Sequence, residues 1–149
     1  MAGATSSLRE RLKSGRLIGT FVKLPALESV EICAQSLDFC VVDYEHSQLA
    51  EGDVLRLVRH AAALQFPAVV RIPEVDRGLV NRLLEAGAAG LQLSSVRRVS
   101  EVRALRDEAW EADGVAPKTT PSLVSGSFHR SSWPLDETEG PCGPAQYVR

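Results

Sequence analysis

The sequence predicts an α/β fold of about four parallel βα units, and three observations carry that reading. Four short apolar runs of strand length begin at residues 17, 39, 68 and 90, at intervals of 22 to 29 residues. Segments with helical spacing lie between them, and strands alternating with helices at this period imply parallel pairing through right-handed crossovers. The strand centres, such as Phe39-Cys40-Val41-Val42, are apolar nearly throughout, as expected of strands covered on both sheet faces. A complete eight-unit βα barrel takes roughly 250 residues, so four units in a chain of 149 residues amount to about half of one. A small doubly wound sheet is the competing architecture.

The elements follow in order. Strands are expected over Leu17 to Val22, Phe39 to Asp43, Ala68 to Ile72 and Gly90 to Leu93. The clearest helix covers Asp53 to Leu64, where Val54, Leu55, Leu57, Val58, Ala61 and Ala62 form one apolar face and Arg56, Arg59 and His60 point elsewhere. A second runs from about Gly78 to Ala86, with Asp76 as N-cap and Leu79/Leu83 and Val80/Leu84 as i,i+4 pairs. Gly87 suits the left-handed position after its end. A further helix starts near Ser100 and carries Val102, Leu105 and Ala109 on one side.

The character changes after Glu111. Of the 38 residues from 112 to 149, 17 are Pro, Gly, Ser or Thr, with no sustained apolar period. The expected organisation is therefore a barrel-type domain over 1–111 and an irregular Pro/Gly/Ser-rich tail over 112–149. A fifth strand, due near residues 115 to 120, is not expected in a stretch so broken by Pro117 and Pro121.

Composition excludes several function classes. With 44% hydrophobic and 24% charged residues the chain is globular, and it has no apolar run of membrane-spanning length. Its formal net charge of −2 lacks the basic excess that gathers nucleic acid or anionic lipid, so neither is an expected partner. The N-terminus has no apolar signal region, so a cytoplasmic protein is expected. Cys33, Cys40 and Cys142 are odd in number and lack C-x-x-C spacing, which argues for reduced, mostly buried thiols over disulfides or structural zinc.

Polar residues fall where chemistry collects in parallel α/β folds, at the carboxyl ends of the strands. Lys23 ends the first strand, and the second runs into Asp43-Tyr44-Glu45-His46. The third delivers Arg71, and the fourth carries Gln92 and Ser94. A histidine beside a carboxylate makes a general base near neutral pH, and an arginine offers a planar fork for a carboxylate substrate. Each has a bland reading too: a solvated turn histidine, acids that cap a loop, an arginine in a buried ion pair, serines that are a polar strand end. The shared strand-end position favours function. Phosphate-loop, dinucleotide and nucleophile-elbow motifs are absent.

Four segments in order carry a resemblance. These are Leu8 to Gly15 followed by Ile18-Gly19-Thr20-Phe21-Val22-Lys23, then Val41-Val42-Asp43-Tyr44-Glu45-His46, then Val70-Arg71-Ile72-Pro73, then Glu85-Ala86-Gly87-Ala88-Ala89-Gly90-Leu91-Gln92. Over about residues 8 to 108 the chain resembles the HpcH/HpaI aldolase family, metal-dependent pyruvate aldolases on a TIM barrel related to the citrate lyase β-subunit. The resemblance implies the N-terminal half of such a barrel and a lyase that reversibly cleaves a 2-keto-4-hydroxy acid to pyruvate and an aldehyde. It makes His46 the acid/base, Asp43 its support, Arg71 the keto-acid and enolate ligand, Gln92 a further substrate contact and Glu45 the acid beside His46 that holds water near the metal. It also implies Mg²⁺ or Mn²⁺, but the family's metal-ligand glutamate and aspartate lie on later strands. Glu137 and Glu139 lack the surrounding motif, so no metal ligand is assigned. Ser47 replaces a small residue and Ser94-Ser95 a proline-containing stretch, which marks a divergent subgroup. Activity is therefore expected to be impaired, and a family-type homo-oligomer stays open for so short a chain. The favoured account is an aldolase whose reading frame was lost near residues 107 to 118. The alternatives are a non-catalytic half-barrel that binds or co-assembles with a partner chain, and a small metal-free enzyme using His46, Asp43 and Arg71.

Overall fold

A computed structural model of the chain describes residues 7–94, 96, 98–113 and 145–148. Helix α1 (Leu8–Ser14) precedes four βα units: β1 (Gly19–Val22) and α2 (Leu27–Ser36), β2 (Phe39–Asp43) and α3 (Glu51–Ala63), β3 (Ala68–Ile72) and α4 (Arg77–Glu85), β4 (Gly90–Leu93) and α5 (Val99–Asp113). A last strand, β5, spans Ala145–Val148. The sheet order is β1-β2-β3-β4-β5, with the first three pairings parallel and the last antiparallel. Sequential parallel strands with helices between them form half of a βα barrel, as the strand spacing implies.

The bounds of β2, β3 and β4 coincide with the apolar runs, whereas β1 begins two residues later than its run, at Gly19. Two elements depart from expectation. Helix α1 is short and mostly polar, and its start is set by a capping box: Ser7 Oγ accepts from the Glu10 N–H at 3.3 Å while Glu10 Oε2 accepts from the Ser7 N–H at 3.0 Å. The tail, expected to be irregular, supplies β5. Its four residues stand out from the Pro- and Gly-rich stretch only through their pairing with β4. Residues 115 to 120, where a fifth parallel strand would fall due, lie outside the described residues, as do Cys142, Glu137 and Glu139.

Strand alternation divides the sheet into two faces. Cys40, Val42, Val70, Ile72, Leu91 and Leu93 point toward the helices and pack against Val30 of α2, Val54, Leu57, Val58 and Ala61 of α3, Leu79, Val80, Leu83 and Leu84 of α4, and Leu105 and Ala109 of α5. Burying each of the Val, Leu and Ile side chains stabilises the fold by about 1.5–3 kcal/mol, so this layer dominates the favourable term. The other face, which lines the inside of the half-barrel, buries Val41 and Val69 under Leu8 of α1, with Leu12, Leu17, Phe39 and Ala89 alongside. Asp38 ties α1 down, accepting from Arg11 Nη2 at 2.6 Å and from the Ile18 N–H at 2.9 Å. Cys33 and Cys40 are free, buried thiols; burial, with Cys33 adding to it, pushes Cys40 up to about 12. Among the described residues no helix is long and apolar enough to cross a membrane.

Helix α4 starts and stops as its sequence dictates. Asp76 Oδ1 accepts from the Leu79 N–H at 2.7 Å, and Gly87 past the far end has φ +101°. A Cβ on Gly87 would also lie 2.8 Å from Cβ of Ala62, so α3 would have to move. Gly87→Ala is expected to cost about 2 kcal/mol, the sum of left-handed strain and this contact. Urea denaturation measures it, and an unchanged midpoint would refute the account.

Candidate active site

The register of the four parallel strands sets one polar row along the inner rim. Asp43 pairs with Arg71, and Arg71 with Gln92. Val22 pairs with Val42, so the next residue of the chain, Lys23, falls beside Asp43. Two of these four side chains, Asp43 and Arg71, sit one step above the apolar inner residues Val41 and Val69, because alternate residues of a strand share a face. Lys23, Asp43, Arg71 and Gln92 are thus neighbours by construction at the carboxyl ends of their strands.

Asp43 is the centre of this row and has no exposed surface. Arg71 grips it with two bonds, Nε to Oδ1 at 2.9 Å and Nη2 to Oδ2 at 2.5 Å. Lys23 Nζ lies 3.2 Å from Oδ2, and Oδ1 also accepts from the N–H groups of Glu45 at 3.3 Å and His46 at 3.0 Å. Burial alone would raise this carboxyl. The Arg71 hydrogen bonds, then the His46 N–H and Lys23, outweigh it and hold Asp43 well below the usual carboxylate range. Asp43 is therefore a fixed anion that shapes the loop and aims Arg71.

The loop after β2 presents Glu45 and His46. The turn is closed by Ser47, whose hydroxyl donates to the Asp43 carbonyl and accepts from the Leu49 N–H at 3.2 Å. The His46 side chain is 63% exposed, and its Nε2 stands 3.4 Å from Glu45 Oε2, which itself lies 3.8 Å from Arg71 Nε. That Glu45 oxygen is buried and accepts no hydrogen bond. The carboxylate beside the imidazole is thus Glu45, while Asp43 reaches His46 through its backbone N–H. The contacts of Asp43 are those of a loop cap and of a buried ion pair with Arg71.

Arg71 is 17% exposed, and the ring of Phe21 lies 4.8 Å from its Cζ. Asp43 takes two of its five N–H donors, leaving the others for a ligand. Gln92 is nearly buried on the far side of Arg71, and Ser94 Oγ is buried without a hydrogen-bond partner just beyond. Ser95 lies outside the described residues. Sequence reasoning located Lys23 at a strand end without giving it a role and passed over Phe21. The signal for both was β1 alternation, which puts residues 19, 21 and 23 on the face shared by Val41 and Asp43.

The arrangement can bind a small anion at Arg71 and move a proton at His46. A divalent metal finds no ligand set here. Among the described residues no group of three His, Cys, Asp or Glu side chains could hold one, and both Asp43 oxygens are engaged by cations.

The fold and site define a parallel βα half-barrel whose strand ends carry a guanidinium, a histidine and a buried aspartate. The hydroxypyruvate/pyruvate aldolase of Paraburkholderia phytofirmans is 35% identical over 111 residues, 71% of this chain and 43% of the relative. The 4-hydroxy-2-oxovalerate aldolase of Novosphingobium aromaticivorans is 29% identical over 108 residues, 70% of this chain and 41% of that protein. The solved HpcH/HpaI aldolase of Desulfitobacterium hafniense superposes with a TM-score of 0.64 at 32% identity, covering 70% of this chain and 42% of that one. No protein-family profile matches the chain. Over its described barrel units the chain belongs to the HpcH/HpaI aldolases, and it spans about two fifths of the length of the curated relatives it matches.

Proposed function

We propose that this rim binds a pyruvate-type keto acid and serves the reversible retro-aldol cleavage of a 2-keto-4-hydroxy acid to pyruvate and an aldehyde. The observation that carries this reading is the Arg71 guanidinium, aimed by a buried carboxylate and left with spare donors beside an exposed histidine. The names of the two curated relatives, both aldolases of small 2-oxo acids, support the substrate class.

The residues divide the work as follows. Arg71 receives the keto-acid carboxylate and the C2 oxygen, where negative charge develops. His46 takes the proton from the 4-hydroxyl, the C3–C4 bond breaks, and the aldehyde leaves. The bonding pair becomes the enolate of pyruvate, which Arg71 steadies until C3 takes a proton back from His46. Glu45 stabilises the imidazolium formed between these steps. Asp43 holds Arg71 and the loop, and Gln92 confines the keto acid on the β4 side.

Titrating pyruvate into the isotope-labelled chain is expected to move the Arg71 Nε–H and Gln92 side-chain resonances, and Arg71→Lys to weaken binding at least tenfold, about 1.4 kcal/mol. No shift at millimolar pyruvate would overturn the ligand assignment. In D₂O, deuterium entry into the pyruvate methyl group is expected to fall to background in His46→Gln. Equal entry in both proteins would remove His46 from its role.

A further inference from the structure

We propose that Lys23 is a positioning residue of this rim, clamping the β2–α3 loop onto Asp43 so that the His46 ring keeps a fixed place relative to Arg71. The inference deepens the reading above and rests on it for the role of His46. Lys23 follows β1 directly, and its ammonium makes two contacts: Asp43 Oδ2 at 3.2 Å and the His46 carbonyl oxygen at 3.4 Å. Arg71 holds the carboxylate from the other side, but a carbonyl that faces β1 needs a donor from β1. Lys23 supplies it.

The charges explain why a cation suits this place. Arg71 alone would neutralise Asp43, yet Asp43 also draws in the N–H groups of Glu45 and His46, and the Glu45 carboxylate adds a second negative charge within 3.8 Å of Arg71. With Lys23 the cluster of two carboxylates and two cations is balanced. Its side chain is half-exposed and forms the β1 end of the rim. An ammonium with three donors can serve the carboxylate and the carbonyl at once and still keep one for water or ligand.

The test is amide hydrogen exchange on the full chain with Lys23→Met and Lys23→Arg. Exchange at Glu45 and His46 is expected to quicken about tenfold or more in Lys23→Met while Val42 and Val70 stay within about twofold. Lys23→Arg, which keeps the charge and the reach, is expected to restore most of the protection. Unchanged protection at Glu45 and His46 would overturn the proposal. So would equal acceleration at Val42 and Val70, since that reports a global loss of stability. Should Lys23→Met fail to fold, Lys23→Gln is read by the same comparison. Deuterium entry at saturating pyruvate is further expected to fall in Lys23→Met with half-saturation unchanged, a split that loss of fold would not produce. A loosened loop in a chain whose exchange never depended on His46 would sink the acid–base reading and leave the clamp in place.

Discussion

Arg71→Ala is expected to destabilise the chain by about 3–5 kcal/mol, because it leaves Asp43 buried with its main partner gone. The magnitude follows from geometry: Asp43 is wholly buried and its guanidinium partner only 17% exposed, so water cannot replace the lost contact. The pH dependence carries the sharper sign. Asp43 in the folded chain titrates below its ordinary value, so its pairing contributes stability that is fully present above the unfolded value near 3.9 and is lost as pH falls through the folded one. Wild type should therefore lose stability steeply on acidification below about pH 4. In Arg71→Ala the burial penalty is no longer outweighed as before, and that slope should flatten. Urea titrations at neutral pH and at about pH 3.5 measure both effects. Parallel slopes in the two proteins would refute the pairing as the source of the low Asp43 value.

Leu83→Ala should cost about 3 kcal/mol. Leu83 is completely buried on the face of α4 that packs in the layer between helices and sheet, and truncation removes its contacts and leaves a cavity. Leu64, 43% exposed just past α3, is the internal control, since Leu64→Ala should change stability by less than about 1 kcal/mol. Comparable losses at both positions would mean that the helix–sheet layer is not where the fold is held.

The helix–sheet layer was legible because its signals are local. Apolar runs bounded by Pro67, Pro73 and Gly90 mark β3 and β4, and Asp76 and Gly87 punctuate α4. Helix α1 escaped because its seven residues bury only Leu8, too little for a period to register, and its support comes from the distant Asp38. Strand β5 escaped because its pairing is long-range and its four residues carry no mark of their own. The site divided in the same way. Strand ends identified which residues meet, but partner choice depends on a register between strands 20 or more residues apart. Hence Lys23 reaches across from β1 to the loop, whereas Glu45 and His46, neighbours in one loop, meet without any such register.

The two kinds of pairing also impose an order of assembly. Each of β2 to β4 docks on the strand made just before it, so the parallel sheet can grow in step with synthesis from the N-terminus. β5 is different: Ala145 must find Leu93 across more than fifty residues. Closing so long a loop carries an entropic penalty that the nearer pairings escape, so its docking should be the last and slowest event of folding. A ribosome stalled anywhere before residue 145 would hold a nascent chain whose β4 edge is still open to other strands.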